Sequence, residues 1–586
     1  MSTPLNISEI NFDSDKYTKG FQTKVKLSKI IVVVGPNNSG KSQLLRDIES
    51  FPNKDNMKII SSLELNLPSE ESEIESLVNK FKTDPQPDGL PSETIHLSAP
   101  KLETNADQLT ETIEIVKLKN EINVIKSFDK RSELGKLLRF YRVRLDGKTR
   151  FDLISPKQMG IKLKPGNFFV SLILDDVLRE ELRNKIFNEF GWYFYFENNN
   201  GQYAIKTSRE YRTCEQEKSD KQEDLQFLAD SNTIEEQGHG FQSFVGLMLA
   251  VSSLEHTILL IDEPEAYLHP PQAQHLGQQL AELAEKREGT LIASTHSSDF
   301  LMGCIEQSEN VTIIRLTYDG PVGTIRNLTQ NEVVEFIKEP LLRSTETLNA
   351  LFHKSAIISE GDSDRIFYGT INRRLQYSKK EAEGDSAKKE EPKIEGIDDT
   401  IFLNGLGKNT LHKMVSALRK IGSTAVCIYD LDILERGDSP PDYWIEYLTS
   451  MNVPQVKATK FEAERIFLET KLKNKKEENG PDPFRKLGIS TLDKDAKTRA
   501  ENFLNELEEY GIFVVREGGV EKWLQKLGVE PGNKKRWLIE ILEKLGYDKD
   551  PDAIKPDSDD VWEFIRKISQ WISNPNKLGM PFSNIK

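Results

Sequence analysis

Ile30-Ile31-Val32-Val33-Val34-Gly35-Pro36-Asn37-Asn38-Ser39-Gly40-Lys41-Ser42 decides the fold class. Five consecutive β-branched apolar residues predict a strand buried on both faces, as in a parallel sheet covered by helices. A glycine-containing turn follows, and Gln43 to Ile48 then reads as a helix. Strand, loop and helix in that order are the setting of a phosphate-binding loop. Gly35 and Gly40 let backbone N–H groups converge on phosphate oxygens, Asn38 lies in the same cradle, and the helix N-terminus adds favourable partial charge. Lys41 supplies a cation for the terminal phosphates and Ser42 a hydroxyl for Mg²⁺. The expected cofactor is ATP.

Farther along, Leu259-Leu260-Ile261 predicts a second buried strand that delivers Asp262 and Glu263 at its carboxyl end, where ligands of open α/β sheets bind. Asp262 is the expected Mg²⁺ ligand. Glu263 is the expected group that positions and polarises the attacking water, because phosphoryl transfer relies on positioning and charge stabilisation. Ser294-Thr295-His296 follows another apolar strand, Thr290 to Ser294, and makes His296 a candidate sensor of the γ-phosphate.

Asp262 to Pro270, DEPEAYLHP, resembles the extended Walker B and D-loop of ABC-type ATPases of the SMC, RecF and OLD group. That resemblance implies two heads sandwiching ATP, hence a homodimer or higher homo-oligomer, with a signature segment of each head reaching the other's nucleotide. QGHGFQS at Gln237 to Ser243 stands at that place, with Gly240 and Gln242 as the implied nucleotide contacts, although it departs from LSGGQ. Gln158 is the candidate Q-loop residue.

The 586 residues exceed one hydrophobic core and suggest roughly three to four domains. Hydrophobic residues at 37% and charged residues at 30% indicate a globular chain, and no apolar run approaches the ~20 residues that a bilayer requires. Met1 to Ile10 lacks a secretory pattern, and three scattered cysteines suggest neither a zinc ribbon nor a disulfide framework, so a cytoplasmic protein is expected. The net charge of −15 gives no global nucleic-acid signature. Local basic groups occur at Lys457, Lys460, Lys471, Lys473, Lys475 and Lys476 and at Lys534, Lys535 and Arg536; such runs are usually solvated helix faces.

Residues 1–50 and 237–328 are assigned to the ATPase head, and 51–236 to a large, mainly helical insertion with an expected hairpin around Phe140 to Leu153 turned by Asp146-Gly147. Residues 329–354 form a helical connector. A second α/β unit then opens with the strand Ser355 to Ser359. Within it Lys379 to Asp399 reads as a flexible charged loop.

In this second unit Glu360 stands at a strand end and Asp364 four residues later, in the first turn of a helix. Ala425 to Tyr429 predicts a buried strand ending in Asp430-Leu431-Asp432; alternate residues of an extended segment share a side, so Asp430 and Asp432 are expected to share a metal. Hard carboxylates without histidine suit Mg²⁺ or Mn²⁺. This arrangement resembles the TOPRIM domain, assigned here to 355–525 with a helical C-terminal region at 526–586, and Asn404-Gly405-Leu406-Gly407-Lys408 resembles that family's middle segment. The resemblance implies phosphodiester chemistry at Glu360, Asp364, Asp430 and Asp432, with Glu521 as a further metal ligand and Lys522 or Arg516 as the cationic partner.

An ATPase head followed by a TOPRIM unit is the layout of the OLD family, which includes Gabija-type nuclease subunits and retron-associated effectors of antiphage defence. It implies a metal-dependent DNA endonuclease under nucleotide control, with a helicase-like protein or a retron reverse transcriptase and its nucleic acid as implied partners. The competing expectation is a non-catalytic ATP-dependent DNA clamp of the SMC/RecF type.

Overall fold

The computed structural model describes residues 5–581 apart from 14–22, 54–56, 69, 84–85, 88–89, 91–92, 101–107, 125–131, 159–171, 254–256, 319–322, 329–331, 333–344, 386–395, 438, 441, 480–483, 485–487, 548–549 and 551. The chain divides into two compact units, one of Met1–Val34 with Asn38–Val333 and one of Gly35–Asn37 with Val334–Lys586. Among the described residues no helix is long and apolar enough to cross a membrane.

The first unit runs through β1 (Asn6–Phe12), β2 (Lys24–Lys26), β3 (Ile30–Val34), β4 (Ile60–Asn66), β5 (Thr94–Pro100), β6 (Gln108–Glu114), β7 (Arg142–Leu145), β8 (Lys157–Gln158), β9 (Tyr193–Asn199), β10 (Gln202–Ser208), β11 (Asn232–Thr233), β12 (Ile258–Asp262), β13 (Thr290–Ser294), β14 (Val311–Tyr318) and β15 (Gly323–Leu328). Its main sheet has the order β15-β14-β3-β13-β12-β7. The run β14-β3-β13-β12-β7 is parallel, and β15 adds antiparallel to β14. All five β3 residues are fully buried, as a two-sided parallel sheet demands. Ile31 and Val33 of β3, Ile258 and Leu260 of β12 and Ile292 of β13 enter one core together with Leu44, Leu45 and Ile48 of the helix Lys41–Ser50. That packing fixes the helix behind the phosphate-binding loop.

The segment 51–236 is mixed rather than mainly helical. It contributes β4 to β11 beside helices such as Glu71–Asn79 and Asp176–Phe190, and its β7 is the edge strand of the head sheet. The clearest signal was Tyr193–Asn199 and Gln202–Ser208 joined by Asn200-Gly201, whose positive φ values of 52° and 86° make a two-residue hairpin turn. The hairpin expected at Asp146-Gly147 is absent: Phe140 and Tyr141 end one helix, Glu133–Tyr141, and Asp146 caps another, Gly147–Ile154. The Asp146 carboxylate accepts from the Lys148 and Thr149 amides at 3.0 Å each, while the Thr149 hydroxyl accepts from the Asp146 amide at 2.7 Å. This reciprocal cap satisfies donors that a hairpin turn would leave elsewhere.

The second unit holds β16 (Ser355–Ser359), β17 (Thr400–Asn404), β18 (Thr424–Tyr429) and β19 (Ile512–Val514) in a fully parallel sheet of order β17-β16-β18-β19. The helices Asp362–Asp385 and Leu411–Lys420 make the crossovers. The C-terminal helices Lys534–Leu545 and Asp560–Ser573 belong to the same core: Trp537, Ile541, Trp562, Ile565 and Ile568 pack with Ile357, Val426 and Phe513 of the sheet. Position 525 therefore marks no edge of this core. Arg419, fully buried, fastens the arrangement by donating to the carbonyls of Ala425, Met451, Tyr510 and Gly579.

Of the loop expected at Lys379 to Asp399, the first part continues the helix Asp362–Asp385 and residues 386–395 lie outside the described residues; most of the connector 329–354 lies outside them as well. The lysine cluster on Gln455–Asn479 is largely paired: Lys457 and Lys460 meet Glu506, Lys471 meets Asp493 and Lys473 meets Glu469.

Candidate nucleotide and carboxylate sites

The phosphate-binding loop connects β3 to the helix Lys41–Ser50, with Gly35, Asn38 and Gly40 at positive φ values of 145°, 60° and 95°. Such backbone turns N–H groups inward to form an anion cradle. Lys41 is 5% exposed. The Ser42 hydroxyl donates to Asp262 Oδ1 at 2.9 Å, and the Ser294 hydroxyl donates to the same oxygen. The sequence therefore brings the loop, the acidic end of β12 and the end of β13 to one point.

Glu263 follows Asp262 with φ 49° and a half-exposed side chain, 3.6 Å from His296 Nε2. A non-glycine residue held in that backbone region is strained, and strain of this kind clusters at functional sites. Burial and the nearby Lys41 charge hold His296 below its ordinary pKa. Two residues the motifs did not single out support the turn. Arg150, fully buried, donates to the Asp262 carbonyl, to the Glu263 carbonyl at 2.8 Å and to the Ser243 hydroxyl at 3.1 Å. Glu265 accepts from the His296 amide at 2.8 Å, and burial lifts its pKa.

The signature-position segment enters the helix His239–Ser253. Gly240 is required there by close approach, since a Cβ would stand 2.6 Å from the Tyr267 carbonyl oxygen. Gln242 is 8% exposed and donates to the carbonyls of Glu235 and Gln237 at 3.2 and 2.7 Å, so its amide is committed to its own segment. Gln158 pairs with Gln202 in the smaller sheet of β8 to β11.

In the second unit the carboxylates gather at the carboxyl ends of β16 and β18. Glu360 Oε1 accepts from the Asp430 amide at 3.0 Å. Asp364 accepts from the Gly361 amide at 3.1 Å and is 3% exposed; Asp430 is 4% exposed. Between the two aspartates lies the ammonium of Lys534, 3.2 Å from Asp364 Oδ1 and 2.8 Å from Asp430 Oδ2. Burial, with Asp430 and Asp432 adding repulsion, pushes Glu360 up to about 8. Burial and the Asp364 charge push Asp430 up to about 6 against the pull of Lys534. Asp430 and Asp364 in turn hold Lys534 charged despite its own burial.

Asp432 does not continue an extended strand as expected. Leu431–Leu434 turns into a short 3₁₀ segment, and Asp432 Oδ2 lies 3.7 Å from Lys408 Nζ. Glu521 is brought to the cluster: a Cβ on Gly519 would meet Glu521 Oε2 at 2.7 Å and Asp430 Oδ2 at 3.6 Å. The ammonium that meets these aspartates is that of Lys534, whereas Arg516 is engaged by Glu508 at 2.6 Å and Asn505 at 2.8 Å. Lys534 was hidden in a basic triplet 104 residues beyond Asp430, and only the packing of Trp537 and Ile541 shows that its helix joins the sheet. Among the described residues no three acidic, histidine or cysteine side chains stand close enough to hold a metal as placed.

Comparison with known proteins bears on the ATPase head. The AAA ATPase domain family matches residues 174–301, which include Asp262, Glu263 and His296. Among curated proteins, the chain is 26% identical to the Old nuclease of Escherichia phage P2 over 215 residues, covering 34% of this chain and 33% of that one. It is 28% identical to the OLD nuclease of Thermus scotoductus over 151 residues, covering 22% of this chain and 26% of that one. The chain thus spans about a third or less of the length of the curated relatives it matches. Among solved structures it is similar to an SMC head bound to the C-winged helix domain of ScpA, with 15% identity, 56% of this chain and 99% of that one covered, and a TM-score of 0.32. The SMC head domain from Thermotoga maritima gives 13% identity, 55% and 99% coverage, and a TM-score of 0.28. By its AAA ATPase domain match and the stretches it shares with two OLD nucleases, this chain is similar to OLD-family proteins.

Proposed function

We propose that the chain is a divalent-metal-dependent DNA endonuclease controlled by its ATPase head, acting in bacterial antiphage defence in the manner of Gabija-type or retron-associated effectors. The observation that carries this reading is the pairing of Asp364 and Asp430 with the ammonium of Lys534, with Glu360 bonded to the Asp430 amide and Glu521 alongside. Buried acids with raised pKa values beside one built-in cation form a site whose charge a further cation would balance. The relatives named as nucleases favour cutting over passive clamping.

The donor set fits hard divalent ions: it consists of carboxylates, and their mutual repulsion is what an added cation relieves. Glu360, Asp364, Asp430, Asp432 and Glu521 would hold Mg²⁺ or Mn²⁺, which supplies Lewis-acid polarisation of the scissile phosphate and an activated water. Lys534 places a fixed positive charge where negative charge grows on the phosphate, a contribution that needs no reorganisation during the reaction. Lys408 adds a second cation at the rim of the same site.

In the head, Gly35, Asn38, Gly40 and Lys41 would hold the triphosphate and Ser42 with Asp262 its Mg²⁺, while Glu263 positions water and His296 contacts the γ-phosphate. Two heads closing on ATP would set the nuclease state of a homodimer or larger homo-oligomer. Plasmid cleavage with Mg²⁺ or Mn²⁺ by the wild-type, Glu360→Ala and Asp430→Ala proteins tests the assignment.

A further inference from the structure

The loop between β17 and the helix Leu411–Lys420 carries an apolar tip that the carboxylate chemistry does not use. Leu406 is 65% exposed and holds a left-handed backbone, φ 57°, which a leucine adopts only under constraint. The constraint comes from the cluster itself. Gly405 donates to the Ser359 carbonyl and Gly407 to the Glu360 carbonyl, each at 2.8 Å, so the loop is bonded to the strand end that bears the acid. The Leu406 amide donates to Asn404 Oδ1 at 2.9 Å, and the Thr410 hydroxyl donates to the carbonyls of Gly405 and Gly407. Lys408 Nζ donates to the Asp432 carbonyl at 3.0 Å.

A leucine exposed on a floppy loop would be unremarkable, since isolated apolar residues are common on surfaces. Here a strained leucine is instead fixed by both flanks to the two residues that frame the cluster, with polar groups beside it. Asn409 is steadied by the Tyr447 hydroxyl at 3.1 Å, and Lys413 is exposed on the next turn. An apolar tip flanked by lysines and an amide matches nucleic acid: cations meet phosphates, and an aliphatic side chain enters a base step by partly unstacking it.

We infer that Leu406 is a wedge that inserts between bases of DNA held at the carboxylate site, making Leu406 a positioning residue for the scissile phosphate. This rests on the nuclease reading and adds to it a preference for DNA that unstacks easily, such as pyrimidine–purine steps and mismatches. Leu406→Gly removes the side chain and suits the left-handed backbone, so the loop keeps its shape.

The test uses the full chain and a duplex carrying the fluorescent adenine analogue aminopurine at the preferred step, with fluorescence read in Ca²⁺ and cleavage in Mg²⁺. The wild type is expected to raise the fluorescence. Leu406→Gly is expected to abolish that rise and lower cleavage kcat/KM about tenfold or more, with ATP hydrolysis unchanged, while Leu406→Phe retains the rise. Equal fluorescence and equal cleavage by the wild type and Leu406→Gly would overturn the wedge and leave the nuclease reading intact. A fluorescence rise lost in Leu406→Gly without cleavage by either protein would support the wedge and overturn the nuclease reading. No rise and no cleavage by the wild type would overturn both.

Discussion

Lys534 Nζ stands 2.8 Å from Asp430 Oδ2 and joins the C-terminal helix Lys534–Leu545 to the acidic end of β18. The contact turns a helix that reads as an appendage into part of the site. Removing the ammonium leaves two buried aspartates without their cation. Lys534→Ala is therefore expected to lower DNA cleavage about 10²-fold or more, with Lys534→Arg recovering only part because a planar fork replaces a point charge. Single-turnover cleavage with saturating Mg²⁺ measures this; cleavage unchanged in Lys534→Ala would remove Lys534 from the chemistry.

The acidic cluster also makes metal-free stability depend on pH in a definite direction. Glu360 in the folded chain is pushed up to about 8, whereas an unfolded glutamate titrates near about 4.3. Between those values the folded state binds more protons, so the contribution of Glu360 is fully present below about 4.3 and is lost as pH rises through about 8. Glu360→Gln should melt a few degrees higher than wild type at alkaline pH, with the gap closing toward pH ~5, and Mg²⁺ should stabilise wild type more than the variant. Thermal melts across pH with and without Mg²⁺ check this, and a gap independent of pH would contradict it.

In the head, Arg150 holds the turn after β12 from beneath, with donors to the Asp262 and Glu263 carbonyls and the Ser243 hydroxyl. Arg150→Ala leaves these acceptors buried, and Arg150→Lys cannot span them with one ammonium. Arg150→Ala should lose on the order of 1–3 kcal/mol of stability in denaturant titrations and most ATP turnover. A variant that melts like wild type and hydrolyses ATP normally would show that the turn needs no such support.

Binding and hydrolysis separate at Lys41 and Glu263. Lys41→Ala should bind ATP weakly and hydrolyse it about 10²-fold more slowly or worse, whereas Glu263→Gln should bind ATP normally with a similar loss of turnover. Equilibrium binding of a fluorescent ATP analogue and phosphate release measure both. DNA cleavage by the same two variants shows whether bound or hydrolysed nucleotide governs the nuclease.

Much of the head was legible because its elements are local. The β-branched run Ile30 to Val34, the glycines beside Lys41 and the acids ending β12 each announce themselves within a dozen residues, and all five β3 residues are buried as a parallel strand requires. The strand ends bearing Glu360 and Asp430 were legible for the same reason. What escaped depends on distance or on competing local chemistry. Asp146-Gly147 has the composition of a hairpin turn, yet the Thr149 hydroxyl and Asp146 carboxylate satisfy a helix start instead. Asp432 was assigned by strand periodicity, but the backbone turns immediately after Asp430. Lys534 carries no local mark that distinguishes it from Lys535 and Arg536; its role comes from the burial of Trp537 and Ile541 against the sheet.

The central claim is that the carboxylate cluster cuts DNA. Supercoiled plasmid incubated with ATP and Mg²⁺ or Mn²⁺ should be nicked or linearised by the wild-type protein and left intact by Glu360→Ala and Asp430→Ala, provided both variants still bind ATP. Equal cutting by all three proteins, or no cutting by the wild type under either ion, would contradict the account.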